Sequence, residues 1–325
     1  MKSFAREFLC DELGPGRQLF LGAFGKHPGW DDHIDDIGLE TESLVAAKKL
    51  LYVDGIGSQI GAWEQLDWTG QIAFNHAFLW RRGSQMLVGR MWASSDGKKR
   101  SRYPMIVCAH GISTSLAMMI ETVLTALEDL QARVMATRSA HEVREIIGQF
   151  RTALREWLAT SGGEAPAEEF ETEAFLQKGG IEPDDDAFHK TLSRLRRSRF
   201  AAGTYKSRGA PSAERLRLLS RSAAAGDCLH FWARILELQL DRSVPLLLAK
   251  PAEQYWMDVV AGEPSPADFF CLRASPRVVP LVSDEAEEVP VSFRAEARAL
   301  IEAAAAGRSL PEQAGGSWVG RLFGR

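Results

Sequence analysis

"IAFNHAFLWRRGSQMLVGRMWASSDGKKRSRYPMIVCA", residues 72–109, decides the fold class. Three runs in it, 72–81, 85–94 and 102–109, have the length and the β-branched, aromatic and apolar content of strands. Gly83-Ser84 fits a hairpin turn between the first two. Asp96-Gly97 turns the chain toward the third. That third run carries MIVCA at 105–109, a continuous apolar stretch that predicts a strand in the sheet interior.

Upstream, QLFLGAF at 18–24 follows a Gly-Pro-Gly turn and predicts a buried strand. TESLVAAKKLLYV at 41–53 predicts a helix, with Leu44, Ala47, Lys48 and Leu51 at helical spacing and Thr41 as N-cap. Residues 54–70 stay open. Ile56, Ile60 and Trp63 keep the spacing, while Gly55, Gly57 and Gly61 each weaken a helix by up to about 1 kcal/mol.

Downstream, the pattern predicts helices over 115–135 and 140–160, the second opened by a Ser139/Glu142 capping box. A Gly-, Glu- and Asp-rich linker over 161–186 follows, then a basic helix over 187–199. Helices over 212–224 and 227–240, strands over 244–249 and 254–261, and a helix starting at Ser265-Pro266 come next. A strand over 277–282 and a helix over 292–305 end the folded part. The order is α+β with an antiparallel sheet, without the regular alternation of a dinucleotide-binding fold. Three divisions are expected: an α+β domain over 1–135, a helical and α+β module over 136–305, and a flexible tail over 306–325.

The chain has 325 residues, 45% hydrophobic and 25% charged, as in soluble globular proteins. A net charge of −4 argues against a whole-molecule grip on nucleic acid or an acidic membrane. No run reaches the roughly 20 apolar residues of a membrane span, and the N-terminus lacks the apolar core of a secretory signal. The four cysteines, Cys10, Cys108, Cys228 and Cys271, form no CxxC and read as buried thiols. A cytosolic (cytoplasmic) protein is expected.

Between His27 and Asp36, six of ten residues are His or Asp: His27, Asp31, Asp32, His33, Asp35 and Asp36. Acids here can cover open N–H groups at the start of the following helix and favour its dipole. The same residues could instead meet a partner, or serve a metal-dependent hydrolase. The DxDxDG spacing of a calcium loop is absent. Gly25-Lys26 is not a Walker loop, since position 20 is Phe and position 27 is His. There is no GxSxG elbow. Cys108 and His110 share a strand face, but no third orienting group is visible. The basic helix, with His189, Lys190, Arg194, Arg196, Arg197 and Arg199, is either a solvated face or a contact for phosphate or an acidic partner. At the tail, Trp318, Leu322 and Phe323, with Arg321 and Arg325, form a short amphipathic stretch that either docks to a groove or membrane surface or packs back.

LFLGAFGKHPGWDDHIDD, residues 19–36, resembles the opening of the TagF (ImpM) family of type VI secretion accessory proteins. Members of that family start with a strand, then Gly-Lys-x-Pro-x-x-Gly-Asp-Phe, then a helix. Gly25, Lys26, Pro28 and Asp32 match; Asp31 stands for the Gly and His33 for the Phe. A second block, a Ser-x-Asp-like turn followed by Gly-Arg-x-Phe-Pro-Leu before a central strand, is met here by Ser95, Asp96, Arg102, Tyr103, Pro104 and Met105. Its spacing is one residue longer and its Gly-Arg pair is not kept. Residues 255–270 are similar to the family's C-terminal strand–helix portion. The resemblance covers about residues 18–135. It implies a longin-like antiparallel sheet flanked by helices, no cofactor and no catalysis. It also implies a post-translational regulator or adaptor that works with forkhead-associated and kinase/phosphatase components of a secretion system. Gly25, Lys26, Pro28, Asp32, Ser95, Asp96, Arg102 and Pro104 are then the candidate partner-contact residues.

Overall fold

The computed structural model describes residues 16–161, 169–202, 212–285 and 288–307. Within them lies a sheet of seven strands: β1 (Gln18–Gly25), β2 (Asn75–Arg82), β3 (Gln85–Ala93), β4 (Pro104–Ile112), β5 (Glu214–Leu219), β6 (Leu246–Pro251) and β7 (Trp256–Ala261). Their order is β1-β4-β3-β2-β6-β7-β5, and every neighbouring pair is antiparallel. The three strands of the 72–109 block form as expected, with the apolar β4 between β1 and β3. The sheet continues across the expected 135/136 division, because β2 pairs with β6 from Arg81–Leu246 to His76–Pro251.

Alternation along the strands builds two cores, one on each face. Leu19, Leu21, Leu79, Val88, Val107, Leu248 and Val259 face the first. Phe24, Phe78, Leu87, Ile106, Leu247 and Val260 face the second. Both faces are covered, so the strands read as near-continuous apolar runs. At about 2 kcal/mol for a fully buried large apolar side chain, either core is a major part of stability. Gly89 makes one of these packings fit. A Cβ there would lie 2.3 Å from the ring of Phe78, so only glycine lets that ring cross its neighbour strand.

The first core is roofed by α3 (Thr125–Met135), α4 (Ala140–Ser161), α7 (Ala225–Gln239) and α9 (Val291–Ala305). The second is roofed by α1 (Glu42–Ala47), a π-helical stretch Lys48–Ile56, α2 (Gly57–Glu64) and a 3-10 helix Pro266–Arg273. Thr41 caps α1 as expected, its hydroxyl accepting from the Leu44 N–H at 3.2 Å. The segment left open after 53 is helical to Glu64. Trp63 anchors it, fully buried, donating its indole N–H to the Phe270 carbonyl at 2.9 Å. Gly55 is required by packing: a Cβ there would stand 2.6 Å from Phe269.

Four expectations need correction. Residues 212–224, expected as a helix, contain β5 instead. Ala, Glu, Arg and Leu favour a helix locally, but pairing with β7 from Glu214–Ala261 to Leu219–Trp256 overrides them. Residues 277–282, expected as a strand, form a turn leading to α8 (Val282–Glu285). The N–H groups of Val278 and Val279 go back to the Ser275 carbonyl rather than to a strand. The linker 161–186 holds a helix, α5 (Thr172–Gly179), whose Phe175 is fully buried against Phe231. The Ser139/Glu142 box is half made. Ser139 receives the Glu142 N–H at 3.4 Å, but the Glu142 carboxylate bonds the Thr137 hydroxyl instead of reaching back.

The basic helix forms as α6 (Asp186–Arg196), capped by Asp185 accepting from the Phe188 N–H at 3.2 Å. Cys108, Cys228 and Cys271 are buried free thiols. Cys10 and the tail residues Trp318, Leu322 and Phe323 lie outside the described residues. Among the described residues, no helix is long and apolar enough to cross a membrane.

Candidate functional site

β1 ends at Gly25, whose φ of +121° suits glycine alone. A Cβ there would also stand 2.3 Å from the Pro104 carbonyl oxygen at the start of β4. The chain then doubles back. Ile34 donates to the Gly25 carbonyl at 2.8 Å, and isolated bridges join Lys26 to His33 and Ala23 to Ile37. The loaded loop is therefore a short excursion returning along β1, pinned by the buried Ile34.

This geometry turns the Lys26 side chain inward, where it is 4% exposed. Its ammonium donates to Asp96 Oδ2 at 2.6 Å and Asp32 Oδ1 at 3.0 Å. Asp96 sits in the turn between β3 and β4. Its Oδ1 accepts the N–H groups of Lys98 and Arg100, each at 3.0 Å, and its Oδ2 also accepts Arg100 Nε at 2.7 Å. Four donors saturate the lone pairs of this carboxylate. Burial alone would raise its pKa, but the hydrogen bonds from Lys26 and Arg100 outweigh that and hold it far below the usual carboxylate range. Arg100 ties the layers together, reaching the Asp31 carbonyl at 2.8 Å and Asp32 at 3.2 Å. The Gly97 N–H donates to the Trp30 carbonyl at 2.6 Å.

Two stretches 70 residues apart are thus locked into one polar unit. Of the candidate residues, Gly25, Lys26, Asp32, Asp96 and Pro104 meet directly. The Pro28 carbonyl lies against Gly97. Pro28 and Ser95 also share a cavity of about 380 Å³ with His27, Trp92 and Arg138. Arg102 stands apart from the buried pair, exposed, with its guanidinium 3.0 Å from Glu64. Arg100 was not singled out by the motifs. The signal was its position four residues after Asp96, which lets one side chain close the turn on its own carboxylate.

The six His and Asp residues do not converge. His27 is buried, accepts the Gly29 N–H on Nδ1 at 3.1 Å, and directs Nε2 at the Val134 carbonyl at 3.2 Å, so Nε2 carries the proton. Burial holds its pKa below the ordinary value. His33 lies on the Tyr52 and Tyr103 rings, with centroids 5.7 and 5.2 Å away, and burial followed by the Lys26 charge lowers its pKa. Asp35 accepts from the Trp30 indole at 3.2 Å and from Arg144; Asp36 pairs with Lys48 at 2.6 Å. The acids therefore pair with cations, and the expectation that they cap the next helix is corrected: Thr41 does so. Among the described residues, no three His, Cys, Asp or Glu side chains are placed to hold a metal ion. Cys108 is fully buried, its thiol pushed up to about 12 by desolvation, and His110 turns to the Thr41 hydroxyl at 3.1 Å.

Around the buried pair the surface is mixed in charge. Asp31, Asp32, Lys98, Arg100 and Arg102 are all exposed above the buried Lys26–Asp96 pair. Trp30 is half-buried beneath the Arg144 guanidinium, 5.1 Å from its ring. This surface sets charges of both signs beside a half-buried aromatic, the kind of pattern on which polar complementarity between surfaces rests.

No family model matches the chain, and no curated protein matches it.

Proposed function

We propose that this protein is a non-catalytic cytosolic adaptor or post-translational regulator resembling TagF of type VI secretion, built on a longin-like arrangement of its sheet. The observation that carries the reading is the Lys26–Asp96 ion pair. It joins the two sequence blocks on which the resemblance rests, and it uses their polar residues to fix a surface. The saturated Asp96 carboxylate has no lone pair left for proton transfer. The partner contact is placed on the exposed rim, Asp31, Asp32, Arg100 and Arg102, with protein components of a secretion system as partners. A metal-dependent hydrolase at His27–Asp36 draws no support from this geometry, because the donors point to separate partners.

Cross-linked affinity purification from the native host tests the proposal. The intact protein should recover secretion or signalling components, and an Asp31→Arg/Arg102→Glu variant should lose them while keeping its melting temperature. Recovery of the same set by both proteins, or of no secretion or signalling component by either, counts against it.

A further inference from the structure

The sheet ends on β5, and beside β5 lies a cavity lined by five arginines, Arg194, Arg197, Arg199, Arg215 and Arg217. About 930 Å³ in volume, the cavity is bordered by the successive residues Ala213 to Arg217. Successive residues of a strand point to opposite faces. A single cavity can touch all of them only by running along the strand's edge. That edge is the side of β5 away from β7, and among the described residues no other strand pairs with it. The end of α6 forms one wall, and the turn Val279–Pro280 forms the other.

Charge in this slot is one-sided. The single carboxylate in its lining, Glu214, is buried and already taken, accepting from Arg194 and from the Ser198 hydroxyl, each at 2.6 Å. Arg217 is also satisfied, held bidentate by the buried Asp258 at 2.7 and 2.9 Å. Arg197, Arg199 and Arg215 line the rim, where their side chains are exposed. Arg215 lies 3.4 Å from Asp268 and donates to the Ala267 carbonyl at 3.3 Å; Arg199 lies 3.9 Å from Glu214 and donates to the Ser212 hydroxyl at 3.4 Å.

We propose that the outer edge of β5 receives an extended acidic peptide, which pairs its backbone with the strand and sets its carboxylates against Arg197, Arg199 and Arg215. Open strand edges take up partner strands by main-chain hydrogen bonding, with side chains supplying selectivity. The arginines choose the partner. A second copy of β5 would bring its own arginines against these and be repelled, whereas an acidic strand is attracted. The proposal is independent of the contact placed at Asp31 and Arg102, which lies at the far end of the sheet near β1 and β4.

The full chain is titrated into a fluorescein-labelled peptide of alternating Glu and Val, about twelve residues long, and anisotropy is followed. A control peptide has proline at every Val position, which preserves the charge and removes alternate backbone donors. The wild-type chain should bind the Glu/Val peptide at least about tenfold more tightly than the proline control. Arg197→Glu/Arg199→Glu should weaken binding at least about tenfold. Should that variant lose its fold by circular dichroism, Arg197→Gln/Arg199→Gln should still weaken binding by a smaller factor. Equal binding of the two peptides overturns the strand pairing. Unchanged binding by the arginine variants overturns the site.

Discussion

The Lys26 ammonium and the Asp96 carboxylate lie 2.6 Å apart, with side chains 5% and 0% exposed, 70 residues apart in sequence. The contact holds the β1 exit against the β3–β4 turn. Attraction between buried charges is offset by their desolvation, so its main role is to fix one geometry.

Removing one partner should therefore cost more than the pair is worth. Lys26→Met leaves Asp96 with Arg100 as its only cationic hydrogen-bond partner. It should destabilise the protein by about 3 kcal/mol, read as a lower urea midpoint with an unchanged slope. Asp96→Ala should be worse still, because it also frees the Lys98 and Arg100 N–H groups. A Lys26→Met midpoint equal to wild type would contradict the assignment.

Asp96 also sets an acid limit. Its folded pKa is depressed below the ordinary carboxylate value, so its contribution is complete above about pH 4 and falls away as pH drops toward the folded pKa. Urea melts of wild type and Asp96→Asn at pH 7 and pH 3 should show a gap that narrows on acidification. A gap that widens would have the wrong sign.

His76 acts at milder pH. It is fully buried on β2, with Nδ1 taken by the Asn75 N–H at 3.2 Å, and desolvation lowers its pKa to about 3. The unfolded chain gains this proton near pH 6.5 while the folded chain does not. His76 therefore withdraws stability as pH falls from 6.5 toward 3, by about 2 kcal/mol at pH 5. His76→Gln should lower stability at pH 7 yet flatten its fall between pH 6.5 and 5, measured by urea titration.

Gly25→Ala combines an unfavourable φ with a clash against the Pro104 carbonyl. A loss of at least about 2 kcal/mol is expected, with thermal denaturation as the check. Gly61→Ala, with open space around its Cβ position, is the neutral-to-stabilising control.

The sheet was legible where periodicity and turn chemistry agreed. Residues 72–109 show it: the apolar run of β4 marks an interior strand, and Gly83-Ser84 marks the hairpin. β5 was not legible. Glu214–Leu219 is composed of helix formers, and its strand state exists only through β7. The same limit applies to the candidate site. Gly25, Lys26, Asp32 and Asp96 could each be singled out, but nothing in either stretch says that the Lys26 side chain turns inward toward Asp96. That follows from the pairing of β1 with β4, which puts Gly25 opposite Met105. In the loop, the His and Asp types suggested a shared ligand, whereas His27, Asp35 and Asp36 face separate neighbours on α3, α4 and the π-helical stretch after α1, and Asp32 turns to Lys26 and Arg100.

The proposed partner contact lies at the rim of the Lys26–Asp96 unit. Isothermal titration of the purified chain with the forkhead-associated component of its host's secretion system tests it most directly. Saturable binding by the wild-type chain is predicted, lost in Asp31→Arg/Arg102→Glu with the melting temperature unchanged. No measurable binding by the wild-type chain, or equal binding by the variant, would contradict it.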